Sequence, residues 1–140
     1  MSFDLFLNAV QDGEGGVIDR KIVERAFAPL VEDTSSDSWA LVIPPGTEPS
    51  AGVVSIDLGD EIEGFSVNRP PFAPAFWAAL YEVMRQTSTL LYWPGPDEGC
   101  GCVANADALE HVDPDMAEEL GQIPVLTSAQ MLGDYVEQNS

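Results

Sequence analysis

Few side chains in this chain are equipped for chemistry at neutral pH. The only histidine is His111, in Leu109-Glu110-His111-Val112. Imidazole is the side chain whose ordinary titration range suits acid–base work near pH 7, but one histidine flanked by Leu and Val reads as a structural or surface residue. Nucleophilic catalysis needs an acceptor beside the nucleophile, and no serine sits in a Gly-x-Ser-x-Gly elbow. Cys100-Gly101-Cys102 with His111 and Asp107 would offer soft metal ligands. Zinc sites, however, pair ligands two to four residues apart and use four of them in structural sites. A half-buried strand alternating Cys, Gly, Cys and Val accounts for the same residues without a metal. The glycines of Asp12-Gly13-Glu14-Gly15-Gly16 carry acids and lack a P-loop lysine, which excludes a phosphate cradle.

Carboxylates are the abundant functional group. Asp57, Asp60, Glu61 and Glu63 form the densest group in the middle of the chain, and Asp113, Asp115, Glu118 and Glu119 form a second. The first matches no EF-hand loop, and its spacing supports neither calcium binding nor paired-carboxylate catalysis. The first two members of the second complement a helix dipole. Basic residues are scarce, so Arg69 in Asn68-Arg69-Pro70-Pro71 stands out. The expectation is that it pairs with a carboxylate inside the fold, with ligand-anion binding as the second reading.

The charge balance limits what the protein can touch. There are 24 acidic residues against five basic ones, a net charge of −19 over 140 residues. No basic residue occurs between Arg25 and Arg69, or after Arg85. Such a field repels nucleic acid and anionic lipid and steers basic partners inward. Yet 45% of residues are hydrophobic, with three Trp, three Tyr and six Phe. That composition specifies one folded domain over 1–140 rather than a disordered acidic chain. The opening MSFDLFLNAV lacks the basic region of a signal peptide, and no run is long enough to span a bilayer. Cys100 and Cys102 are too close for an easy mutual disulfide, so a reducing cytoplasm is the expected location.

These residues must be positioned by elements that the apolar pattern reveals. Residues 2–10 alternate as a strand, with Phe6 signalling that both faces are at least partly covered. Asp19 caps a helix whose buried stripe is Ile22, Val23, Ala26, Phe27 and Leu30, with Ile18 and Val23 as a hydrophobic staple. Strand-like runs follow at 39–43, 51–58 and 64–69. Their short connections make an antiparallel meander, with Val54, Ile56 and Leu58 on one face of the second run. Pro74 opens a central buried helix of about four turns. A strand at 89–93 follows, and a short one at 100–104. The tail reads as small helices, one starting at Asp113-Pro114 and a last one capped by Thr127-Ser128. The order is βα-βββ-αβ. It predicts an α+β two-layer sandwich with a mainly antiparallel sheet, helices packed on it and a helical C-terminal tail.

Ser2-Phe3-Asp4-Leu5-Phe6-Leu7, Val67-Asn68-Arg69-Pro70, Leu91-Tyr92-Trp93-Pro94 and residues 116–121 resemble segments of small acidic bacterial proteins of uncharacterised function. In size, charge and architecture the chain also resembles the immunity proteins of bacterial toxin systems. That resemblance implies a non-catalytic cytoplasmic inhibitor, with no cofactor or metal, that blocks a basic, nuclease-like protein. The expected contact residues are Asp57, Asp60, Glu61, Glu63, Asp97, Glu98, Asp113 and Asp115, with Trp93 as an aromatic anchor. The alternatives are a small-molecule-binding or hydrolytic domain using Arg69, His111 and a nearby carboxylate, and a soluble acidic protein with no catalytic role. Oligomeric state is not read from the sequence.

Self-repulsion among surface carboxylates predicts stabilisation by salt. Raising NaCl from ~0.01 M to ~0.15 M shortens the screening length from about 30 Å to about 8 Å. The melting temperature should rise by roughly 3–5 °C, equivalent to about 1 kcal/mol. A melting temperature that is flat or falls with salt contradicts this reading.

Overall fold

The computed structural model describes residues 4–42, 52–95 and 99–139. Phe3, Ile43 at the end of the 39–43 run and Ala51 at the start of the 51–58 run, like Asp97 and Glu98, lie outside them. The elements in chain order are β1 (Asp4–Gln11), β2 (Glu14–Gly15), β3 (Ile18–Asp19) and α1 (Arg20–Phe27), then β4 (Ser38–Ala40), β5 (Val53–Ile56), β6 (Glu61–Ile62) and β7 (Gly64–Asn68). They continue with α2 (Pro74–Gln86), β8 (Thr89–Pro94), β9 (Gly99–Cys102), α3 (Ala106–Glu110), α4 (Pro114–Leu120) and α5 (Ala129–Gln138). The main sheet is antiparallel in the order β4-β5-β7-β1-β8-β9, with β2 folded back onto β1; β3 and β6 make a separate two-stranded ladder. This is the expected α+β architecture, and β4, β5 and β7 form the expected meander.

Local chemistry explains most of these elements. β1 turns into β2 at Asp12-Gly13, both with positive φ (52° and 80°), as a two-residue hairpin turn requires. The Asp19 side chain accepts from Lys21 N and caps α1, and Ile18 and Val23 are both buried. Pro29 follows α1 in a 3-10 turn, Ala28–Leu30. Pro74 occupies the first turn of α2, Asn105 caps α3, Asp113 caps α4, and Ser128 caps α5.

The sheet has two differently covered faces. On one, Leu5, Leu7, Val54, Phe65, Val67, Leu91 and Trp93 pack with Val23 and Phe27 of α1, much of α2, and Leu132 and Val136 of α5. β8 alternates, so Leu90 and Tyr92 face the other way. There they join Val103, Ala108, Val112, Leu120 and Ile123 in a smaller cluster under α3 and α4. Phe6 stacks on Tyr92 on that side, with centroids 5.4 Å apart. One apolar assignment is corrected: Leu58 does not share the buried face of Val54 and Ile56. β5 ends at Ile56, and the following bend leaves Leu58 61% exposed.

That bend is held by Arg20, the only charged side chain buried among the described residues. Its Nη2 donates to the carbonyls of Thr34 and Ser36, both at 2.8 Å, and its Nη1 to that of Leu58 at 3.3 Å. Its backbone N–H donates to Asp60 O at 2.9 Å, and the guanidinium lies 5.8 Å from the centre of the Trp39 ring. Trp39 Nε1 donates to the same Ser36 carbonyl. Among the described residues no carboxylate is within ion-pair distance of Arg20; carbonyl dipoles and an aromatic face carry the charge instead.

Replacing Arg20 by Met removes all three side-chain hydrogen bonds. It should lower stability by about 2–3 kcal/mol in urea unfolding, because hydrogen bonds to a charged group exceed neutral ones. Arg20→Lys, a compact ammonium that cannot form the same fork, should fall between. Wild-type stability in Arg20→Met would show that the clamp is dispensable.

Candidate functional site

Two expected acids, Glu63 and Asp113, come from distant segments and line one concavity of about 270 Å³. Its walls include Asn8, Ala9 and Val10 of β1, Gly13 and Gly15 of the hairpin, Leu90 and Tyr92 of β8, and Val112 and Met116 from the α4 region. The lining is mostly apolar, and no cation contributes to it. The arrangement is an apolar depression with carboxylates at its margin. Chemically, that suits the aliphatic stem and charged head of a basic side chain.

The backbone sets each margin. Glu63 sits between β6 and β7, and its carbonyl accepts from Ala9 N at 2.8 Å. Gly64 makes this approach possible. A Cβ there would lie 2.2 Å from Leu7 O and 2.5 Å from Asn8 Oδ1, so a side chain would force β7 away from β1. Asp113 caps α4 through a 2.9 Å bond from Asp115 N. The hairpin is tied to the same corner: Gly13 N donates to His111 O, and Asp12 N donates to His111 Nδ1, both at 3.0 Å. Between the margins, Asn8 Nδ2 donates to the Tyr92 hydroxyl at 2.9 Å.

Among the described residues, the other expected contact acids, Asp57, Asp60, Glu61 and Asp115, do not line this depression. Asp57, Asp60 and Glu61 are exposed on the bend and short strand leading into Glu63. Glu61 lies directly opposite Asp19 in the β3–β6 ladder, a like-charge pairing that costs stability. Asp115 is exposed in the first turn of α4. Trp93 requires correction as an anchor. It is 1% exposed on the opposite side of β8 from Tyr92, donates from Nε1 to Asn139 O at 3.1 Å, and meets Tyr135 edge-on. The alternation of β8 places Trp93 in the main core, and the aromatic in the concavity is Tyr92.

Arg69 and His111 do not converge. Arg69 follows Asn68, which pairs with Asp4 at the start of β1, whereas His111 bonds Asp12 just beyond its end. The length of β1, roughly 25 Å, separates them. Arg69 is exposed in a left-handed conformation (φ 50°), and among the described residues it makes no ion pair, contrary to the expected internal pairing. The bend that ends β7 carries it past the sheet. His111 serves as a tie: Nδ1 accepts the Asp12 N–H, Asp12 Oδ1 is 3.5 Å from Nδ1, and Asp107 Oδ2 is 4.0 Å from Nε2. Cys100 and Cys102 are free thiols, and burial pushes the Cys102 thiol up, away from the reactive thiolate. Among the described residues, no group of three or more His, Cys, Asp or Glu is arranged to hold a metal ion, and no helix is long and apolar enough to cross a membrane.

Asn8, Leu90, Val112 and Met116 were not marked by the sequence. Each reads locally as an ordinary strand, turn or helix position, and the cavity arises only where β1, β8 and the α4 region come together. Comparison with protein-family models, curated proteins and solved structures finds no match.

Proposed function

We propose that this chain is a cytoplasmic protein-binding module that captures a basic protein at the concavity rimmed by Glu63 and Asp113. In this reading it acts as an immunity-type inhibitor of a nuclease-like toxin. The observation that supports the reading is that two acidic residues from separate segments line one mostly apolar depression with no cation in its lining. An enzyme that handles nucleic acid presents a cationic groove. An acidic inhibitor is drawn into that groove by the field that draws phosphates.

Each part of the site has a task. Asp57, Asp60 and Glu61 extend the negative field beside Glu63 and speed encounter, as rim charges do. Tyr92, Val112 and Met116 supply the apolar contact that slows dissociation. No catalytic step is involved. The net charge of −19 also disfavours nucleic acid and anionic membranes as direct ligands.

The test is affinity capture from the protein's own host, comparing wild type with the Glu63→Gln/Asp113→Asn double variant at low and at moderate salt. Wild type should retain one strongly basic protein in stoichiometric amount at moderate salt, and the double variant should retain about tenfold less. A diffuse set of basic proteins lost on adding salt, or equal retention by the variant, would overturn the proposal.

A further inference from the structure

The β1–β2 hairpin that walls the concavity is tied to the α3–α4 corner through His111. Two bonds of 3.0 Å make the tie: Gly13 N donates to His111 O, and Asp12 N donates to His111 Nδ1. They differ in kind. The carbonyl accepts at any pH, but Nδ1 accepts only while the imidazole is neutral and carries its proton on Nε2. One of the two bonds is therefore conditional on a proton.

The surroundings show what protonation does to the hairpin. The imidazole is 29% exposed, so solvent protons reach it. Among the described residues, the charged groups within ion-pair distance of it are carboxylates. Asp12 comes from the hairpin, with Oδ1 3.5 Å from Nδ1, and Asp107 from one turn earlier on α3, with Oδ2 4.0 Å from Nε2. Glu110 precedes it in the chain. The start of α4 brings Asp113 and Asp115 to the same corner, and a Cβ on Gly13 would lie 3.7 Å from Pro114 Cδ. Imidazole changes charge between about pH 8 and pH 5 in ordinary surroundings. Once protonated, Nδ1 is a donor. It loses the Asp12 N–H and turns to the Asp12 carboxylate. Asp12 holds a left-handed backbone (φ 52°), which costs a non-glycine residue energy, so losing the bond frees the turn to relax about the retained Gly13 bond.

We infer that His111 is a proton switch for one wall of the concavity. Neutral, it latches the hairpin whose Gly13 and Gly15 line the site. Protonated, it releases Asp12 N, grips the Asp12 carboxylate and sets a cation next to Val112 and Asp113 of the lining. Both changes act in one direction. The wall loosens and the local field becomes less negative, so a cationic side chain binds more weakly in acid. That consequence rests on the proposed capture of a basic partner; the switch itself does not.

The test is an NMR titration of wild type, His111→Gln and Asp12→Asn from about pH 8 to about pH 5, reading the His111 ring and the amides of residues 12, 13 and 15. The neutral ring should carry its proton on Nε2. The Asp12 amide should move with the same midpoint as the ring, and Gly15 should follow. In His111→Gln, whose side chain does not titrate, these amides should stay flat. Asp12→Asn keeps the backbone N–H and tolerates positive φ, so its amide should still follow His111, which excludes the carboxylate as the source. The probe Nα-acetyl-lysine N-methylamide, read at the Tyr92 ring, should bind wild type about threefold more weakly at pH ~5.5 than at pH ~7.5, and His111→Gln equally at both. A neutral ring protonated on Nδ1, an Asp12 amide that ignores the His111 titration, or the same response in His111→Gln would overturn the switch. Measurable but equal probe binding by wild type at both pH values would overturn it too. If the probe binds at neither pH while the amides follow His111, the switch stands and capture at the concavity falls.

Discussion

A single buried guanidinium ties the loop before β4 to the bend after β5. Arg20 is held by carbonyls from two separate loops and by the face of Trp39, without a carboxylate partner among the described residues. A buried carboxylate would have needed its own desolvation offset. Carbonyl dipoles instead leave the acids outside, in water, where their charge acts at a distance. The clamp draws residues 34–36 and the bend at Leu58 against the start of α1. From that bend the chain enters β6 and reaches Glu63. The path of the chain into Glu63 therefore depends on the Arg20 clamp, while Asp113 is set separately by its cap on α4.

The same economy applies to the other cations. Of the five basic residues, only Arg85 makes an ion pair among the described residues, with Glu82 one turn earlier on the exposed face of α2. That pair holds the Glu82 carboxyl below its ordinary range but neutralises no rim acid. Among the described residues, the acids lining the concavity have no cationic partner. The structural cost shows in the Glu61–Asp19 pairing.

Much of the fold was legible because its signals are local. Alternation in residues 2–10, the Asp19 cap, Pro74 at a helix start, Asp113-Pro114 and Ser128 each specify structure within a few residues of themselves. Leu58 was misread because its apolar alternation continues past the end of β5, and only the Arg20 clamp shows that the chain has already turned. Trp93 and Tyr92 could not be told apart by type, since either face of β8 has a cover; α5 takes one and the 103–125 region the other. The acids were found by composition, but their convergence was not. Glu63 and Asp113 line one depression because β7 and β8 both pair with β1 and the start of α4 lies beside the β1–β2 hairpin, a non-local consequence of topology.

The central claim is electrostatic capture at the concavity, and the ionic-strength dependence of association measures it most directly. The association rate of wild type and of Glu63→Gln/Asp113→Asn with the captured basic partner should be followed by stopped flow across a range of salt. The account predicts a steep fall of the wild-type rate with salt and a shallower slope for the variant, the two converging at high salt. A rate independent of salt, or one slope shared by both proteins, would contradict it.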